Sequence, residues 1–319
     1  EILYDIMNRF RKENKSVIFI SHDLDEIMEV CDTLTVLRDG KIIRTFEKAE
    51  FEAGAIRASM IGRELQGDYY RSDFQASSQP EVALDVRNLV YEDRLKGISF
   101  QVHKGEIVGI GGLAHCGMHS LGKVCFGALK PEEGSVTVED GTIIDSPAIA
   151  MKKRVGYVSK DRDVESLCLN ASIEDNISIA GMSEFAINNF LILKNREKKY
   201  VNHQIEELSI KCAGRDQSVS QLSGGNKQKV VFGKWIGCGS EILILDCPTR
   251  GVDIGVKQAM YQLMVRLKNE GKSILMISEE LPELIGMSDR ILIMKNGEVS
   301  AEFERSETLS DAQIIEYMI

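Results

Sequence analysis

Three short stretches carry residue types that handle phosphate. The first, Gly112-Leu-Ala-His-Cys-Gly117-Met118-His119, follows a short apolar run, Ile107–Ile110, and opens a helical pattern near Met118. A strand that feeds a glycine turn and then a helix is where backbone N–H groups and a helix N-terminus hold phosphates. The spacing is that of a P-loop, G-x-x-x-x-G, but Met118 stands where a Lys would reach the outer phosphates and His119 where a Ser or Thr would hold Mg2+. Half of that chemistry is missing, and a glycine turn before a helix is also an ordinary connection. The second stretch, Leu222-Ser-Gly-Gly-Asn-Lys-Gln228, precedes a long helical pattern. Its Ser223 hydroxyl and the N–H groups of Gly224 and Gly225 would lie at a helix N-terminus, where the macrodipole favours an anion such as a γ-phosphate. The plainer alternative is an N-cap with flexible glycines. The third is Asp246, which ends the apolar strand Ile242–Leu245 and is followed by Cys-Pro-Thr-Arg-Gly-Val-Asp253-Ile-Gly-Val-Lys257. Asp246 would hold Mg2+ through water as a hard oxygen ligand, or serve as an ordinary strand-end carboxylate.

The elements that must position these groups are partly duplicated. Laying Ser21 on Ser278 shifts the chain by 257 residues, and without a gap Tyr4 falls on Tyr261, Met7 on Met264, Arg9 on Arg266 and Ser16 on Ser273. Further on, Ile20, Leu24, Glu26, Asp32, Gly40 and Phe46 meet Ile277, Leu281, Glu283, Asp289, Gly297 and Phe303. Both copies read as a helix, a short apolar strand (VIFIS, ILMIS), a second helix, a strand and a Gly turn into another strand. The pattern predicts the C-terminal part of a first domain over 1–66, a linker over 67–80 and a complete second domain over 81–319. The first copy would then begin upstream of Glu1, so the sequence predicts a fragment that lacks most of its first domain and is inactive by itself. The linker (GDYYRSDFQASSQP) is polar, holds Gly, Ser and Pro, and has no sustained periodicity.

Composition bounds the partners. Of 319 residues, 49 are acidic and 39 basic, a net charge of −10, which argues against a broad basic surface for nucleic acid. No apolar run approaches the roughly 18–20 residues of a membrane span and the N-terminus lacks a signal pattern, so the chain reads as soluble and cytoplasmic. The seven cysteines, with no CxxC pair, read as free thiols. His115, Cys116 and His119 offer soft metal ligands at helical spacing, but no second Cys/His cluster accompanies them in the sequence.

With its motifs in this order, the chain resembles the ATP-binding subunits of ABC transporters. The resemblance lies in an LSGGQ-type signature (LSGGNKQK), a Walker B strand ending in Asp246, a D-loop with Asp253, and a Ser-His switch in the first copy, Ser21-His22. The run PTRGVDIGVK looks most like the tandem ATPases of monosaccharide importers of the ribose, galactose and xylose type. The resemblance covers essentially the whole chain. It implies an α/β fold, a P-loop NTPase of the ABC ATPase type with an antiparallel β subdomain and a helical signature subdomain. It implies ATP and Mg2+ as cofactors, and integral-membrane permease subunits and a periplasmic or extracellular solute-binding protein as partners. A peripheral position on the cytoplasmic face of the membrane follows, with no nucleic-acid partner.

The second copy departs from the family pattern where chemistry is done. Met118 replaces the Walker A Lys and His119 its Ser/Thr. Cys247 replaces the carboxylate after Asp246, Glu279 the switch His, and Lys160 the Gln of the Q-loop. Losing the Lys removes a charge-assisted contact worth roughly 1.5–3 kcal/mol. Without the carboxylate no base or water-positioning group remains, and Glu279 adds repulsion toward a γ-phosphate. In the family each ATP lies between the Walker motifs of one domain and the signature of the other. Ser223, Gly224, Gly225, Asp253 and the surviving catalytic His22 would therefore complete one composite site, while Gly112, Gly117, Met118, His119 and Asp246 belong to a second, hydrolysis-deficient one. The surface around Ser159–Asp175, with Lys160 and Arg162, is where the family receives the permease's coupling helices; the same stretch also reads as a solvated loop. Leu167, Leu169 and Ile173 fit a docking surface or a core, and Tyr91 an adenine-stacking or a packing role. Two other readings compete: a non-catalytic docking module, and a soluble ABC ATPase without membrane partners.

Overall fold

The computed structural model describes residues 2–21, 24–38, 41–61, 69–187 and 191–319. It divides into two compact units, 1–69 with 253–258, and 70–252 with 259–319.

The smaller unit contains α1 (Ile2–Lys12), α2 (Leu24–Val30), the antiparallel hairpin β1 (Thr33–Arg38) and β2 (Lys41–Glu47), and α3 (Ala53–Ile61). Its core is small: Leu24, Val36, Phe46 and Ile56 are buried, with Met28, Leu34, Phe51 and Met60 packed around them.

The larger unit opens with an antiparallel three-stranded sheet in the order β4-β3-β6, built from β3 (Val82–Tyr91), β4 (Leu95–His103) and β6 (Glu133–Val138). Its second sheet has six strands. In the order β13-β12-β5-β11-β10-β7 these are β13 (Glu298–Glu304), β12 (Arg290–Lys295), β5 (Ile107–Gly112), β11 (Ser273–Ile277), β10 (Ile242–Asp246) and β7 (Val155–Val158). Five strands are parallel and β13 is an antiparallel edge. Every residue of β5, β7, β10 and β11 is buried. That explains why these strands read as unbroken apolar runs: a parallel sheet is covered on both faces. The helices α4 (Met118–Cys125), α5 (Pro147–Lys152), α9 (Gly224–Gly237), α11 (Leu281–Met287) and α12 (Asp311–Met318) pack on these strands, and α10 (Ile254–Asn269) lies between β10 and β11 in the chain. A helical layer is formed by α6 (Ile173–Ser178), α7 (Met182–Phe185) and α8 (Lys194–Glu207), with α6 and α8 against α9, and the two-residue strands β8 (Ala186–Ile187) and β9 (Leu191–Ile192) pair antiparallel between α7 and α8. This is the expected α/β architecture with an antiparallel β part and a helical part.

The 257-residue repeat holds at the level of elements. Shifted by that offset, α2, β1 and β2 coincide with α11, β12 and β13, and the bulge between Val36 and Leu37 recurs between Ile293 and Met294. Ser21 donates to Glu26 at 3.0 Å, as Ser278 donates to Glu283. The VIFIS segment departs from the expected strand. Residues 17–21 are not a strand, and Ile18 and Ile20 are each 91% exposed. Their counterparts in β11 are held between two parallel neighbours; no strand flanks 17–21 among the described residues, and a strand without a ladder has nothing to fix it.

Residues 70–80, expected within a linker, instead form a strap on the larger unit. Arg71 donates to the Met287 carbonyl at 3.0 Å and pairs with Asp289 at 2.9 Å. Lys268 reaches the Ser77 carbonyl at 2.6 Å and the second oxygen of Asp289 at 3.0 Å. The backbone N–H groups of Ser77 and Ile107 also donate to Asp289, so this buried carboxylate is fully used.

Candidate functional site: a closed polar network at the strand ends

The sheet order brings distant residues together. The strands β5, β11, β10 and β7 are consecutive neighbours, and a parallel sheet gathers the segments after their C-terminal ends at one edge. Those segments are Gly112–Gly117, Ser278-Glu279, Cys247 and Ser159-Lys160.

The glycine loop turns as a P-loop must. Gly117 has φ +102°, and a side chain there would run into the Arg94 carbonyl; His115 also has positive φ, at 71°. Met118 begins α4 and is 1% exposed. Met118 puts an apolar side chain at the position from which a P-loop Lys would reach phosphate.

His119 is the centre of the network. Its Nδ1 lies 2.7 Å from Asp246 Oδ1, and its Nε2 lies 3.1 Å from Lys160 Nζ and 3.4 Å from Glu279 Oε1. Lys160 also donates to Glu279 at 2.7 Å. Because an ammonium can only donate, Nε2 accepts from Lys160, which assigns the ring hydrogen to Nδ1, donating to Asp246. The other Asp246 oxygen accepts from the buried Tyr157 hydroxyl at 3.1 Å. Burial, then the Asp246 charge, push the Tyr157 phenol far up. The Lys160 hydrogen bond holds Glu279 below the usual carboxylate range.

Cys247 follows β10 in the left-handed region, φ 49°, with its N–H donating to the Ile277 carbonyl at 2.8 Å. Its thiol is buried, and burial followed by the Asp246 charge pushes it up. One ligand atom from each of His119, Asp246 and Cys247 lies within 4.8 Å of the others. This group is not visible in the sequence around His115, Cys116 and His119, because the fold brings Asp246 to His119 from 127 residues away and Cys247 beside it.

These contacts are a poor fit to Mg2+ with a triphosphate. The hydroxyl ligand is absent, both Asp246 oxygens are engaged, and the neighbouring groups include the Glu279 carboxylate and the Cys247 thiol.

Ser223, Gly224 and Gly225 belong to a different group. Ser223 caps α9, its Oγ accepting from the Asn226 N–H and, at 3.0 Å, from the Asn226 side chain. Its own hydroxyl hydrogen is not used in those bonds, and the first N–H groups of α9 have no partner within the helix. A Cβ on Gly224 would lie 2.9 Å from the Arg162 guanidinium and 3.0 Å from the Gly251 carbonyl. Arg162 donates to the Arg250 carbonyl at 2.6 Å, to Gly251 at 3.3 Å and to Gln228 at 3.3 Å. Beside it, a cavity of about 230 Å³ is lined by residues 160–164, Arg250 and Gly251. The role of Arg162 as the tie between the signature and the segment before Asp253 was not legible in the sequence, where it stood only for coupling.

Asp253 caps α10, accepting from the Val256 N–H at 3.0 Å. Leu167 and Ile173 are buried, and Leu169 and Tyr91 are half-buried. His22 lies outside the described residues.

Residues 95–250 match the family model described as ABC transporter. The chain is 37% identical over 320 residues to the ribose import ATP-binding protein RbsA of Clostridium tetani, covering 100% of this chain and 63% of that protein. It is 39% identical over 308 residues to the same-named protein of Streptococcus agalactiae, covering 96% and 62%. The chain therefore spans a little under two thirds of these relatives. Among solved structures, an ATP-binding cassette of an ABC transporter in its ADP conformation superposes with a TM-score of 0.62 at 24% identity, over 74% of this chain and 98% of the other. A component of the cbiONQ ABC transporter complex of Clostridium perfringens superposes at 0.60 with 26% identity, over 74% and 94%.

Proposed function

We propose that the chain carries an ATP-binding cassette of the ABC transporter family and is part of the ATP-binding subunit that energises import of a sugar or related small solute. The similarity that carries this reading runs the full length of the chain, to proteins named for ribose import. The domain division 1–66, 67–80 and 81–319 follows with it, residues 70–80 serving as the strap of the second domain. The partners are membrane permease subunits and a solute-binding protein. The location is the cytoplasmic face of the membrane, with permease contact at the surface around Lys160 and Arg162. No helix among the described residues is long and apolar enough to cross a membrane.

Within that subunit the two phosphate-type sites have different fates. The N-terminus of α9 suits a phosphate: Ser223 keeps a hydroxyl hydrogen to donate, and the amides of Gly224 and Gly225 point along the helix dipole. These groups, with Asp253 and His22, serve a composite ATP site whose Walker motifs lie on another domain. ATP bound there supplies the phosphoryl group whose transfer drives transport, and this chain's residues orient it. The second site, around Met118 and His119, is hydrolysis-deficient. The closed network on His119 supports that asymmetry, and it also favours describing this second domain, taken singly, as a docking and clamping module.

The test is made in the full-length protein. His22→Ala is expected to remove most ATP hydrolysis, while Cys247→Ala leaves it near the parent rate; comparable losses from both would sink the asymmetric reading. Loss of solute uptake in membrane vesicles without loss of hydrolysis, on changing the exposed Val164 of the Arg162 loop to Asp, would separate coupling from catalysis.

A further inference from the structure

We propose that His119, Asp246 and Cys247 form a site for one divalent transition ion of the Zn2+ class, in place of Mg2+. The proposal rests on the ligand geometry and not on the transport reading.

The donor set is the first argument. Mg2+ takes oxygen ligands in octahedral geometry, whereas an imidazole, a thiol and a carboxylate suit Zn2+ and its neighbours. Spacing is the second. Zinc bonds of about 2.0–2.3 Å place tetrahedral ligand atoms roughly 3.3–3.8 Å apart. The three ligand atoms here already lie within 4.8 Å of one another, and His119 Nδ1 and Asp246 Oδ1 face each other at 2.7 Å across a shared hydrogen. Small side-chain rotations open that pair around an ion. Orientation is the third. Tyr157 holds the second Asp246 oxygen at 3.1 Å, the kind of supporting hydrogen bond that fixes a ligating carboxylate. Among the described residues this is the one group of three such side chains close enough to share an ion.

The proton balance is simple. On binding, the Cys247 thiol loses its proton to solvent, and the imidazole proton moves from Nδ1 to Nε2, where it faces Glu279 Oε1. Nε2 can then no longer accept from Lys160, whose ammonium keeps only its bond to Glu279 and opposes the incoming cation by its charge. Lys160 and the metal therefore compete for the same pocket of negative charge.

The full chain, titrated with Co2+ without nucleotide, is expected to bind one equivalent with a thiolate-to-cobalt charge-transfer band that Zn2+ removes and Mg2+ does not. Cys247→Ser abolishes the band, and His119→Gln weakens binding about 100-fold. Lys160→Met strengthens it about tenfold, because the competing ammonium is gone. Cys168→Ser and Cys212→Ser, at thiols outside the cluster, leave the band unchanged. A band that survives Cys247→Ser, or Co2+ bound without one, overturns the proposal. Should Cys247→Ser fail to fold, Lys160→Met decides, since unchanged or weaker binding there overturns it equally. Neither failure touches the ATPase test on His22, so the two readings fall separately.

Discussion

At the scale of residues, one imidazole ties together what the linear chain scatters. His119 meets Asp246 across 127 positions and Glu279 across 160, and Lys160 closes the ring. Replacing Lys160 by Gln removes the hydrogen bond that depresses Glu279, so the carboxyl titration followed by NMR should move up toward the ordinary value of about 4.3. Because Glu279 is 42% exposed, the change in unfolding free energy should stay below about 1 kcal/mol. His119, Glu279 and Lys160 were each recognisable in the sequence as departures from a phosphate-handling pattern, and Asp246 as its retained carboxylate. What could not be read was that the departures bond to one another, since ion pairing depends on which strands are neighbours and not on spacing. Cys247 shows the same limit. Its type is visible in the sequence, but its left-handed backbone and its approach to His119 exist only in the fold.

At the scale of elements, the apolar runs were the readable part. Ile107–Ile110 and Ile242–Leu245 are buried strands because their neighbours cover both faces. The VIFIS run is apolar like its counterpart ILMIS, yet among the described residues no strand flanks it and it is not one. Composition sets the capacity to form a strand and pairing decides it. The start of α9 has an analogous dependence on a neighbour. Arg162→Ala removes three hydrogen bonds, to Arg250, Gly251 and Gln228. The expected cost is about 1.5–3 kcal/mol, together with faster amide exchange over the first turn of α9 in hydrogen-exchange mass spectrometry. Unchanged exchange there would mean that Arg162 does not hold the signature in place.

At the scale of the whole chain, the strap 70–80 is where the reading of a polar, aperiodic linker diverges most from the structure. Its anchor is electrostatic, which hydrophobic periodicity cannot register. Arg71 and Asp289 are each 2% exposed, so Arg71→Ala leaves the Asp289 carboxylate with one cation fewer in a buried setting and should cost about 3–5 kcal/mol by urea unfolding. Acid should weaken the strap as well. The Arg71 hydrogen bond holds Asp73 below its ordinary value. Its stabilisation is complete above the unfolded pKa of about 3.9 and is lost as pH falls through the lower folded one. Asp73 is 52% exposed, so solvent screens most of this effect and the slope is shallow. The repeat adds a comparison that nature has already set up. Arg11 pairs with Asp32 at 2.8 Å, and 257 residues later Lys268 pairs with Asp289 at 3.0 Å, the first pair 53% and 77% exposed and the second 5% and 2%. At 0.1 M salt, where the Debye length is about 10 Å, counterions reach the exposed pair and are excluded from the covered one. Within this 319-residue chain, the first contact should therefore weaken with ionic strength more than the second.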